Sequence, residues 1–280
     1  MPDPRETTGT LLTGDGLSLF TRTWLPPIEP RAVVALVHGY AEHSGRYASI
    51  AADLVAKGHA VLGYDHRGFG RSEGRRAFIN HFDDLLDDLD CFLDEVRKAH
   101  PDAPLYLFGH SMGGAVAALF ALERPERHRL AGLILSSPAF QSNEAPLLQK
   151  IASVLGRLFP GLPTIPLDLD TLSRDPAVVE DIRNDPIFYH GRILARTGAE
   201  MVRAMKRIRA QASRFHHPFL LFHGLADRLT DPEGSRRFYH EAASEDKTLH
   251  LYEGLYHLTF CEPERDRVRA DVLAWLDART

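Results

Sequence analysis

Leu105-Tyr106-Leu107-Phe108-Gly109-His110-Ser111-Met112-Gly113-Gly114-Ala115-Val116-Ala117-Ala118-Leu119 decides how the rest of the chain is read. Four apolar residues predict a buried strand, and the small-residue run after Gly114 predicts a closely packed helix. Between them stands Gly-His-Ser-Met-Gly-Gly, a sharp strand-to-helix turn with a serine at its apex. Such a turn strains its central residue, and flanking glycines remove Cβ clashes. The serine hydroxyl is thereby held out of the sheet at a helix N-terminus, where negative charge is favoured. This is the pattern of a nucleophile elbow.

A bare G-x-S-x-G arises by chance in roughly one chain of this length in ten, and this chain holds a second match, Gly70-Arg71-Ser72-Glu73-Gly74. Context separates them. Ser72 follows the polar stretch Asp65-His66-Arg67-Gly68-Phe69 and precedes Glu73, Arg75 and Arg76, so no packed helix can follow it. Ser111 is taken as the nucleophile and Ser72 as a loop residue.

Working outward, Leu17 to Trp24 alternates as an early antiparallel strand. Ala32 to Val37 is a continuous apolar run suited to a strand covered on both faces. Further strands are predicted at His59–Tyr64, Gly132–Leu135, Pro218–Phe222 and Thr248–Tyr252. Helices are predicted at Tyr47–Lys57, from Phe82 onward, and from Pro263 to Ala278 with a proline in its first turn. The helix from Phe82 carries many aspartates, read as a solvated face rather than a metal site. This alternation implies an α/β fold with a mainly parallel central sheet and helices on both faces. It breaks between about Gln141 and Arg214. There Leu147, Leu148, Ile151, Val154, Leu155 and Leu158 form an apolar stripe, and no strand pattern is visible. We therefore expect a core of residues 1–140 and 215–280 with a helical cap inserted at 141–214, over the sheet edge where such folds place ligands.

At 280 residues, with 44% hydrophobic and 25% charged content, the composition is that of a soluble α/β domain. The net charge of −5 argues against a nucleic-acid partner, which requires clustered positive charge. Two cysteines imply no disulfide framework. The polar N-terminus lacks a signal-peptide pattern, and no apolar run is long enough to span a bilayer. A cytoplasmic location is the expectation.

A serine hydroxyl needs an adjacent base with a pKa near 7, and a buried carboxylate to orient that base. On α/β-hydrolases the chain order is Ser, Asp/Glu, His. Asp227 lies just past the strand ending at Phe222, and His257 just past the strand ending at Tyr252. Asp231, the rival acid, precedes Pro232 and suits a helix cap better. The oxyanion of the tetrahedral intermediate needs backbone donors. These are the N–H of Met112 and one from the loop after the early strand, where Tyr40 is preferred and Ala41 is the neighbouring alternative. His38 is read as shaping that loop. His216-His217 lacks further ligands at zinc spacing, so no metal is expected, and the chemistry needs no cofactor.

With these residues in place, the chain resembles the monoacylglycerol lipase and lysophospholipase branch of the α/β-hydrolases. The likeness rests on His38-Gly39-Tyr40-Ala41-Glu42-His43-Ser44-Gly45-Arg46-Tyr47, Gly109 to Gly114, Ala226-Asp227-Arg228 and Tyr252 to His257, with Asp65 to Gly74 as a family-like loop. It implies Ser111, Asp227 and His257 as the catalytic triad and Tyr40 and Met112 as oxyanion donors. It also implies that Glu42 and Arg46 lie near the glycerol end of the substrate. The alternative is that these two only pair with each other. Where animal members carry a second histidine three residues past the catalytic one, this chain has Phe260, so a less polar alcohol portion competes with glycerol.

The expected reaction is cleavage of medium- or long-chain fatty esters, monoacylglycerols first, through an acyl-enzyme. Lysophospholipase or broad carboxylesterase activity is the alternative, and a non-catalytic binding protein a third. The stretch Arg192–Arg214 interleaves seven basic residues with Ile193, Leu194, Met201, Val202, Met205 and Ile208. It reads either as a basic amphipathic helix for peripheral membrane contact or as a helix packed on the core.

Overall fold

The structure, a computed structural model, describes residues 5–142 and 154–280. At its centre lies β5 (Leu105–His110), parallel to β3 (Val33–Val37) on one side and β6 (Leu130–Ser136) on the other. These apolar runs are buried on both faces, as crossover connections to covering helices require. β4 (Ala60–Tyr64), β9 (Phe219–Gly224) and β10 (Lys247–Tyr252) extend the parallel sheet. β1 (Arg5–Leu12) and β2 (Ser18–Leu25) form an antiparallel hairpin, joined to β4 through β2. The order is β1-β2-β4-β3-β5-β6-β9-β10. β1 escaped the sequence reading because Thr7, Thr8 and Thr10 bury neither face and give no apolar alternation.

The strand order reverses between β3 and β5. Loops leaving two such strands diverge to opposite sides and open a crevice between them. The loop after β3 carries Tyr40 and Glu42, and the turn after β5 carries Ser111. The fold therefore sets the sequence-identified residues around one crevice.

Helices α1 (Ala48–Ala56), α2 (Phe82–Ala99) and α3 (Met112–Glu123) cover the sheet. The acidic face of α2 is bound by arginines rather than simply solvated. Asp88, fully buried, receives Nε and Nη2 of Arg67 at 2.6 Å each. Arg124 and Arg127 hold Asp87, Asp90 and Asp94.

The insert between β6 and β9 contains α4 (Pro176–Asn184) and α5 (Ala195–Gln211). It is not purely helical: β7 (Pro163–Pro166) pairs antiparallel with β8 (Arg192–Leu194). Two prolines in β7 and a three-residue partner give no readable strand pattern, which is why the sequence suggested helices alone. Of the apolar stripe, Leu147, Leu148 and Ile151 lie outside the described residues, while 154–158 are helical. Glu200 of α5, itself buried, accepts the Phe82 N–H at 3.1 Å, placing a carboxylate at the α2 N-terminus. α6 (Pro232–Glu241) starts on Asp231, which accepts the Glu233 N–H at 2.9 Å, the capping role expected of it. α7 (Arg265–Asp277) begins two residues beyond Pro263, so that proline precedes the helix rather than lying in its first turn.

Candidate active site

Ser111 caps the N-terminus of α3 with φ 53° and ψ −118°. A non-glycine residue held there carries about 1–3 kcal/mol of strain, and the surroundings must enforce it. They do: its N–H donates to Ser136 O at 2.9 Å, and its carbonyl accepts from Ala115 N at 3.1 Å and Ala139 N at 2.9 Å. The neighbouring glycines serve close approach. A Cβ on Gly113 would lie 2.0 Å from the Val37 carbonyl oxygen, and one on Gly109 would lie 2.6 Å from that of Gly113. Strand, turn and helix can meet so tightly only without those atoms.

The parallel pair β9 and β10 ends level, Gly224 opposite Tyr252. The following loops are laced by Leu225 N to Tyr252 O (2.9 Å) and Ala226 N to Leu255 O (3.0 Å). This brings Asp227 and His257 together, 30 residues apart in sequence. His257 Nδ1–H donates to Asp227 Oδ2 at 2.7 Å. Asp227 also accepts from Leu229 N (2.8 Å), Thr230 N (3.2 Å), Thr230 Oγ1 (2.9 Å) and His223 Nε2 (3.0 Å). Burial pushes its pKa up, but His257, the His223 and His257 hydrogen bonds and the His223 charge outweigh it and hold the carboxyl well below the usual range. It stays ionised and fixes the His257 ring with Nε2 free to accept a proton. Ser111 and His257 line the same cavity. No hydrogen bond joins their Oγ and Nε2 atoms here, a link that commonly closes only with substrate.

Behind the serine, Glu42 is buried with Oε2 accepting from Tyr47 Oη–H (2.6 Å) and Gly39 N (3.0 Å). Burial raises its pKa, but His110, the Tyr47 hydrogen bond, His38 and Arg46 draw it below the usual value. His110 is pushed down to about 3, chiefly by burial, and is therefore neutral at physiological pH. Its ring lies 4.8 Å from that of His257. His110 and Tyr47 sit in motifs already singled out, but burial behind the site leaves no separate mark in sequence.

Of the two residues expected to donate to an oxyanion, Met112 opens α3, so its N–H has no intrahelical acceptor. Tyr40 lines the cavity, and no hydrogen bond among the described residues uses its N–H. Ala41, the alternative, has φ 70°. His38 shapes the loop as expected, its Nε2 accepting from His66 N at 2.8 Å and its Nδ1–H meeting Gly39 O at 2.7 Å.

The remaining expectations fare differently. Arg46 does not pair with Glu42; it reaches Asp185 at 3.0 Å and Asp181 at 3.1 Å, both in the cap, and is not among the cavity-lining residues. Phe260 is a core residue, stacked on Tyr47 at 5.4 Å and edge-on to Phe108 and His110, and it too is absent from the lining. An apolar ring packs with aromatic neighbours where a histidine would need polar ones. Ser72 is confirmed as structural: its hydroxyl donates to Asp65 O and accepts from Phe20 N at 2.8 Å.

The cavity holds about 550 Å³ between core and cap. Ser111, His257, Glu42 and Thr230 share its lining with Leu155, Leu172, Phe188, Ile193, Met201 and Met205. Volume and apolar lining suit one flexible hydrocarbon chain. The apolar side of α5 is thereby used internally, Ile208 and Ala204 being buried as well. Its basic side is partly neutralised, with Arg207 on Asp83 and Glu123 and Arg203 on Glu200. Among the described residues no group of acids, histidines and cysteines is arranged to hold a metal, and no helix is long and apolar enough to cross a membrane.

A mainly parallel sheet with a strained serine between strand and helix, and an Asp–His pair on the next strand ends, defines an α/β-hydrolase. Comparison with known proteins agrees. A family described as "Serine aminopeptidase, S33" matches residues 28–264. The chain is 37% identical over 263 residues to a monoacylglycerol lipase of Mycolicibacterium smegmatis, covering 93% of each. It is 37% identical over 275 residues to human monoglyceride lipase, covering 96% of this chain and 90% of the other. A solved monoacylglycerol lipase from Paleococcus ferrophilus superposes with a TM-score of 0.84 at 34% identity, covering 94% of this chain and 99% of that one. The chain belongs to the monoacylglycerol lipase family of serine ester hydrolases.

Proposed function

We propose that this chain hydrolyses monoacylglycerols through an acyl-enzyme on Ser111. Ser111 Oγ attacks the ester carbonyl as His257 Nε2 takes its proton. The backbone N–H groups of Tyr40 and Met112 stabilise the oxyanion. Collapse expels the alcohol, which takes the proton from His257. A water then repeats the sequence on the acyl-enzyme, releasing fatty acid and restoring the serine. Asp227 stays ionised and stabilises the imidazolium at each stage. The observation that carries this reading is the 2.7 Å contact of Asp227 with His257, which shares with Ser111 a cavity of mainly apolar lining. Of the two carboxylates in the lining, Glu42 and Asp168, Glu42 belongs to the Tyr40 loop beside Ser111 and is the one assigned to the glycerol hydroxyls.

A lysophospholipid is the second reading. Arg228 also lines the cavity, is exposed, rests over the Tyr256 ring at 5.4 Å, and has no carboxylate partner among the described residues. A phosphate-bearing headgroup would supply one. We infer that peripheral membrane contact runs through the cap segment around Leu158, Phe159, Leu162 and Ile165, a reading supported by their 62%, 59%, 42% and 50% exposure and by the inward-facing apolar side of α5.

The test compares hydrolysis of long-chain monoacylglycerol, lysophosphatidylcholine and p-nitrophenyl esters of graded chain length, with Ser111→Ala as control. Monoacylglycerol should be turned over with the highest kcat/KM. Preference for acetyl or butyryl esters would overturn the lipase reading, and activity in Ser111→Ala would overturn the mechanism.

A further inference from the structure

A single cap carboxylate is shared between the cap and the loop that follows β3. Asp185, the residue after α4, uses its two oxygens for different tasks. Oδ1 accepts from Ile187 N (3.1 Å) and Phe188 N (3.3 Å), folding its own turn. Oδ2 accepts from His43 Nε2–H (2.8 Å) and Arg46 Nη1 (3.0 Å), both on the core loop. The His43 tautomer follows from its other nitrogen, since Gly45 N–H donates to Nδ1 at 3.2 Å and leaves the proton on Nε2.

The same turn makes two further contacts with the loop. Tyr189 N–H donates to Ala41 O at 2.9 Å, and the Tyr189 ring meets the Tyr40 ring edge-on at 6.2 Å. Ala41, at φ 70°, holds a conformation that persists only when its surroundings enforce it. The residue before it is Tyr40. Within the loop, Glu42 anchors the other side through Gly39 N and Tyr47.

We propose that Asp185 is a positioning residue for ester hydrolysis, holding the Tyr40 loop through His43 and Arg46 so that the oxyanion site is complete only with the cap seated. This rests on the serine-hydrolase reading above. With a short-chain ester the effect falls on transition-state stabilisation: Oδ2 holds His43 and Arg46 on the loop that carries the Tyr40 N–H, while Phe188, held by Oδ1, lines the acyl cavity that an acetyl group does not fill. Asp181 provides an internal comparison: it meets the same Arg46 but is exposed and touches nothing else on the loop.

The experiment measures kcat and KM for p-nitrophenyl acetate, and affinity for an alkylboronic acid, whose tetrahedral adduct on Ser111 places an oxygen in the oxyanion site. In Asp185→Asn, kcat is expected to fall about tenfold or more with KM within about twofold, and boronate affinity to fall in parallel. Asp181→Asn should match the parent in both. His43→Ala should reproduce the loss, and His43→Gln, whose amide N–H can reach Asp185, should recover most of it. This second pair decides the matter if Asp185→Asn does not fold. Unchanged kcat and boronate affinity, or a loss carried by KM alone, would overturn the proposal. An inactive parent enzyme would instead strike at the hydrolase reading.

Discussion

His223 donates to the same oxygen of Asp227, Oδ2, that holds His257; the two contacts measure 3.0 and 2.7 Å. Ser235 Oγ–H closes the far side of the His223 ring at 2.7 Å. Asp227 thus sits in a ring of donors; His257, Leu229 and Thr230 also line the cavity, whereas His223 lies behind it. Together they keep it ionised and aimed.

This arrangement separates two substitutions. Asp227→Asn should lower kcat by on the order of 10⁴, the scale seen when the triad acid of a serine protease is neutralised, because His257 is left in the wrong tautomer. His223→Leu should lower it by less than about tenfold, since Leu229 N, Thr230 N and Thr230 Oγ1 still hold the carboxylate. Steady-state kinetics on one soluble ester checks both; equal losses would show that His223 does more than support the acid.

Acyl-chain selection should respond to α5. Met201→Trp fills part of the cavity wall. Each methylene denied burial forfeits about 0.8 kcal/mol, so exclusion of two or three should lower kcat/KM for palmitoyl glycerol by at least about tenfold. Butyryl esters should be almost unaffected. A uniform loss across chain lengths would mean that the chain lies elsewhere.

Vesicle binding should depend on the exposed cap residues. The double substitution Leu158→Asp and Phe159→Asp places two charges in that patch. Sedimentation with neutral phosphatidylcholine vesicles should show partitioning reduced several-fold, with activity on dissolved p-nitrophenyl acetate retained. Partitioning that instead follows the anionic lipid fraction would return the contact to the basic residues of α5.

Acid should destabilise the fold through buried histidines. Burial lowers the pKa of His38, His66 and His110, the last to about 3. Between the unfolded value of about 6.5 and the folded value, the unfolded chain binds a proton that the folded chain refuses. Stability is therefore present above about pH 6.5 and declines as pH falls through that window; for His110, whose folded value is about 3, the decline is about 1.4 kcal/mol per unit. Urea unfolding at pH 6.5 and 5 should show His110→Asn losing about 2 kcal/mol less than the parent. Equal losses would mean that His110 is protonated in the folded state.

The strand, turn and helix around Ser111, and the placement of Asp227 and His257 after strand ends, were legible in the chain itself. Backbone conformation there is a local matter: glycines permit close approach, apolar runs demand two-sided burial, and loops after parallel strands converge at one edge. What Arg46, Phe260 and α5 do was not legible. Arg46 finds Asp185, 139 residues away, and not the nearby Glu42. Phe260 turns into an aromatic cluster behind the site, and the apolar side of α5 faces the cavity rather than lipid. The partner of a long side chain, or the face a helix buries, depends on elements that only packing brings together. Local pattern thus determined the strained turn at Ser111 and the strand ends that carry Asp227 and His257. The tertiary structure alone decided how the cap is tied to the core and what shape of ester the cavity admits.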